Sequence, residues 1–155
     1  MIDRLVEIQG EREALHREER SLSSPSMMDY DDVGRVYRFC RQAYGELHPD
    51  RHGSGSELRR QAIFVILFLY SPRTLAGGRM NSGLRRRIAE VMGLEPSNVS
   101  HYHADVWFYY SVYADFREDI DNLFARVFAL LREDQGRGNV GNNSHICTDE
   151  NREIH

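Results

Sequence analysis

One stretch, Leu84 to His103 (LRRRIAEVMGLEPSNVSHYH), constrains the chain more than any other. It predicts two short helices meeting at a tight corner. Ile88, Ala89 and Met92 recur on one helical face. Gly93 follows, and glycine accepts the positive φ that ends a helix without a Cβ clash. Leu94 plugs the corner, Glu95-Pro96-Ser97 turns the chain, and Val99 points back into the angle. Pro96 discourages continuation of the first helix. Ser97 is the expected N-cap of the second, its hydroxyl free for open backbone N–H groups. The small Ala89 lets the second helix approach.

The charge around this corner is uneven. The chain has a net charge of −4, yet from Glu57 to His103 seven arginines face three glutamates, a local net of +4. A basic island in an acidic chain is the pattern of a localised anion-binding face, or of a solvated helix face around Arg85–Arg87. Every cationic side chain is arginine, so any phosphate contact uses a planar, bidentate donor.

The spacing resembles the helix-turn-helix of bacterial and phage DNA-binding proteins, over Leu84–His103 alone. That resemblance implies double-stranded DNA as partner, with the second helix reading base edges from the major groove. Carried over by position, Ser97, Asn98, Ser100 and His101 meet bases, with Ala104 as a methyl contact. Arg79, Arg85, Arg86 and Arg87 hold phosphates, and a dimer presents two such helices to a two-fold site. A looser resemblance links Tyr70–Leu94 and Tyr113–Asp121 to uncharacterised small proteins of phages and mobile elements of gut bacteria. It implies a regulator or DNA-processing accessory and names no activity. The competing reading is a purely architectural corner, because the proposed reading helix carries no Arg or Lys.

The rest of the chain predicts an all-α fold in three parts. Residues 1–27 form a charged arm and linker, with apolar residues at Met1, Leu5, Ile8, Leu15 and Leu22 in a heptad broken by Arg12 and Glu19. Residues 28–132 form the domain, with helices near 29–47, 57–71, 84–92 and 97–131. The run Ile63–Tyr70 is apolar throughout and reads as a buried helix, since no second strand exists to pair its backbone. It is the expected first helix of a three-helix unit. From Val106 to Leu130 no Gly or Pro interrupts an a/d series. Its first part closes the core, and Ile120, Leu123, Val127 and Leu130 are the expected dimer seam. Trp107 to Tyr113 reads as core packing, with base stacking as the alternative. Residues 133–155 turn polar and glycine-rich, the composition of a disordered tail.

Other motifs carry less. His48-Pro49-Asp50 resembles the signature of J-domain co-chaperones, which implies an Hsp70 partner; the short linker before residue 29 leaves no room for that family's preceding helix. His48, Asp50 and His52 have no Cys or His partner at ligand spacing, so no metal is expected. No nucleophile elbow, zinc-protease or dinucleotide motif is present, and Gly77-Gly78 lacks the P-loop pattern. The expectation is a non-enzymatic protein without cofactor or small-molecule substrate. Cys40 and Cys147 form no framework, and the longest apolar run is too short to span a bilayer, which points to a reducing cytoplasm. A second class of function is a protein-interaction or structural component, working through the 106–131 helix and the N-terminal arm.

Overall fold

The run Ile63–Tyr70 is helical, and four of the other helices pack around it. The computed structural model describes residues 1–51 and 55–140. His52 and Cys147, with the tail from residue 141, lie outside the described residues. Seven α-helices and no strand occur among the described residues. They are α1 (Ile2–Leu22), α2 (Val33–Leu47), α3 (Gly55–Tyr70), α4 (Pro72–Leu75), α5 (Ser82–Met92), α6 (Pro96–Val112) and α7 (Ala114–Val140). The fold is all-α, and none of these helices is long and apolar enough to cross a membrane.

Helix α3 is buried on nearly every side: Leu58, Ala62, Ile63, Val65, Ile66, Leu67 and Leu69 are all in the core. Burying each Leu, Ile or Val side chain among them is worth about 1.5–3 kcal/mol. Helix α2 contributes Val33, Val36, Cys40, Ala43 and Tyr44, spaced three, four, three and one apart, which is one face of a helix. A 3₁₀ turn, Tyr30–Asp32, leads into α2, and the Asp29 carboxylate accepts a bond from the Asp31 N–H at 2.9 Å. Helix α7 lies along α2 and is tied to both ends of that helix. Arg35 donates to Asp134 at 2.9 Å, and Arg126 to Glu46 at 2.6 Å.

The expected helix over 97–131 is two helices. Tyr113 is extended (φ −106°, ψ 114°) and separates α6 from α7. The cause is tertiary, because no Gly or Pro lies there. Helix α6 packs on α3, with Tyr110 stacked on Phe64 at 4.9 Å, whereas α7 packs on α2 and α3. One straight helix cannot lie along both surfaces. The bend also folds Phe116 back to 5.7 Å from Tyr109.

The dimer seam expected at Ile120, Leu123, Val127 and Leu130 is overturned. These side chains are 1%, 0%, 0% and 6% exposed within the single chain. They face the chain's own core and leave nothing for a partner to cover. The tail boundary moves as well. Helix α7 continues through residues 133–140, held by the Asp134–Arg35 ion pair and by the low cost of extending a formed helix. Helix α1 buries none of its residues. Its linker is tied to the body where the Ser26 and Met27 N–H groups both donate to the Leu69 carbonyl, at 2.8 and 3.0 Å.

Candidate nucleic-acid interface

The corner starts at Asn81, whose side chain caps α5 by accepting the Gly83 N–H at 2.8 Å. Leu84, Ile88, Ala89 and Met92 bury the inner face of α5. The helix stops at Gly93, in the left-handed region at φ 66° and ψ 40°, and the Leu94 N–H returns to the Ala89 carbonyl at 2.9 Å. Pro96 occupies the first turn of α6, where its missing N–H is not needed and its φ suits the helix. The cap position is therefore Glu95, and Ser97, expected as the cap, lies inside the helix. Val99 is fully buried and holds α6 against the body.

Helix α5 packs on α2 and α6, while α3 packs on α6. The helix packed behind α5 is therefore α2, and α3, the expected first helix of a three-helix unit, joins the corner chiefly through α6. With Val99 and Val106 the only buried residues of α6, most of its surface faces outward. Ser97, Asn98, His101 and Ala104 are exposed on its N-terminal half. Ser100 is half-buried: its hydroxyl receives Arg85 Nη1 at 3.5 Å and donates to the Pro96 carbonyl at 3.5 Å.

Two clefts flank this half of α6. The first, ≈ 440 Å³, is lined by Gly78, Arg79, Met80, Arg85, Ser100 and His103. Two expected phosphate residues and one expected base-reading residue meet here. Gly77 adopts φ +99°, and a Cβ at Gly78 would stand 2.8 Å from the Arg73 carbonyl oxygen. Only glycine lets the chain double back so closely and deliver Arg79 to the cleft. His103 closes the far wall, its Nε2 3.1 Å from the Thr74 carbonyl oxygen, which docks α6 on α4. The second cleft, ≈ 330 Å³, includes Arg59, Arg60, Asn98, His101, Tyr102 and Asp105.

The arginines divide by partner. Arg79, Arg85 and Arg86 make no ion pair with any carboxylate among the described residues. Arg87 is engaged elsewhere: Nε donates to the Tyr30 carbonyl at 3.1 Å, Nη2 to the Asp31 carbonyl at 3.4 Å, and Nη1 meets Glu90 at 3.4 Å. It fastens α5 to the 3₁₀ turn. Arg59 was not singled out by sequence reasoning, and it stands on the opposite side of α6 from Arg79 and Arg85. Its place in the basic island was visible, but its proximity to Asn98 depends on how α3 packs on α6. Arg60 bridges α3 and α6, over the Tyr109 ring at 4.9 Å and 3.8 Å from Asp105.

Elsewhere, Cys40 is fully buried, and burial pushes its thiol far above the usual range, so it serves as core. The His48 ring lies tilted against Tyr44 at 4.8 Å, and Glu57 accepts from the Tyr44 hydroxyl at 3.0 Å and from Arg51 at 2.8 Å. No family model matches the chain, and no curated protein or solved structure shows a match.

Proposed function

We propose that the chain binds double-stranded DNA through the N-terminal half of α6, in the manner of a helix-turn-helix protein. The observation that carries this reading is the pair of arginine-bearing clefts on either side of an outward-facing helix. Arg79 and Arg85 on one side and Arg59 on the other are placed for phosphates of the two strands bordering a groove. Asn98 and His101 then meet base edges, with Ser97 and Ser100 beside them. The role is binding, as a regulator or an accessory of DNA processing in a mobile element. The supports are the local sequence resemblance, the basic island and the exposure of α6.

Selection from a random duplex pool tests the reading. Enrichment of a defined site is expected, with Asn98→Ala relaxing preference at one base pair by about 1–3 kcal/mol and leaving the others unchanged. Recovery of unenriched sequence would sink the base-reading part.

One observation favours a protein-interaction role in addition. The C-terminal half of α6 exposes Trp107, Phe108 and Val112 at about half their surface or more (53%, 54% and 54%), and the DNA reading does not use them.

A further inference from the structure

Two apolar surfaces have no partner among the described residues. The first is the arm. Helix α1 runs 21 residues, buries none, and leaves Ile2, Leu5, Val6, Leu15 and Leu22 between 62% and 75% exposed. A lone helix of this length is marginal in water, and Gly10 weakens it further. The second is a groove of ≈ 640 Å³ beside the arm's C-terminal half. Phe64, Phe68, Pro72, Leu75, Trp107 and Tyr110 form its wall on the body, and Leu15 and Leu22 its wall on the arm. Phe68 and Trp107 are 43% and 53% exposed there.

We infer that the groove is filled by the arm of a second copy of this chain, and that the contact is reciprocal about a two-fold axis crossing the two arms. Two observations select this occupant. Ile2, Leu5 and Val6 on the N-terminal half of α1 share one helical face, touch no wall of their own groove and have no cover among the described residues. The area also suffices: at on the order of 100 Å² for each exposed arm and groove side chain, the contact takes about 700 Å² from each copy, near the share of a stable interface. The interface is isologous, because each copy offers one arm and one groove. It replaces the seam that α7 cannot supply, and it stands independently of the DNA reading.

Sedimentation equilibrium of the full chain tests this, with the emission of Trp107, the single tryptophan, as second readout. The expected mass is twice the 18.1 kDa of one chain, and the emission shifts to the blue as concentration rises and Trp107 is covered. Leu5→Glu is the diagnostic variant, because Leu5 lines no wall of its own groove. It is expected to weaken association at least 10-fold, with helicity unchanged and the red-shifted emission retained. Trp107→Glu is expected to weaken it equally. A monomer at about 100 μM overturns the proposal. So does a dimer that Leu5→Glu breaks while Trp107→Glu and the emission leave it untouched, since the arms would then coil on each other away from the groove. Should Trp107→Glu fail to fold, the wild-type emission shift and Leu5→Glu decide alone.

Discussion

Arg85 and Arg87 are two positions apart and do different work. Arg85 stands in a cleft with Arg79, beside Ser100 and without a carboxylate partner among the described residues. Arg87 spends its guanidinium on two backbone carbonyls, of Tyr30 and Asp31, that lie more than fifty positions earlier in the chain. Arg87→Ala is therefore expected to cost about 1–2 kcal/mol, seen as a fall of several degrees in Tm, because it leaves those carbonyls short of a donor. Arg85→Ala is expected to leave Tm within the small range of surface changes and to act on DNA affinity alone. Thermal melts of both variants beside a DNA titration check the split. In the sequence the three arginines Arg85–Arg87 are one basic patch. Separating them required the position of the 3₁₀ turn, which no local pattern encodes. Gly93 is the opposite case. Its left-handed conformation was legible, because a glycine after an amphipathic run has a local reason to be there.

At the scale of elements, legibility follows the same division. The inner face of α2 and the burial of α3 were readable, since periodicity and the lack of a pairing strand are properties of the segment itself. The break at Tyr113 was not. It arises because α6 and α7 must lie on different neighbours, and the a/d series continues unbroken across it. The same series misled the reading of its second half, since a strict heptad stripe looks alike whether it meets another chain or its own core. The consequence is measurable. Leu123→Ala is expected to cost about 2–5 kcal/mol by opening a cavity in the monomer core. Denaturant unfolding should show that loss, while the mass of the folded protein in solution stays that of the wild type. A variant that only dissociates, with unfolding free energy unchanged after correction for concentration, would return Leu123 to an interface.

For the whole molecule, the decisive feature is that α6 is anchored by few residues and turns most of its surface outward. Helix α2 supports α5 from behind, α3 supports α6, and the Gly77-Gly78 return carries Arg79 round to the same side. The basic island was visible as composition, but its division into clefts on opposite sides of one helix is a product of packing. Arg59 joins the site only through that packing. Under the proposed function, this surface engages DNA phosphates through Arg59, Arg79 and Arg85. The most direct test is anisotropy of a labelled random-sequence duplex across a salt series, with wild type and Arg79→Ala/Arg85→Ala. A log–log slope of about −3 to −6 is expected for the wild type and a slope shallower by roughly 2 for the double variant, because slope counts neutralised phosphates. Folded protein that fails to bind at low salt, or a double variant with the wild-type slope, would contradict this reading.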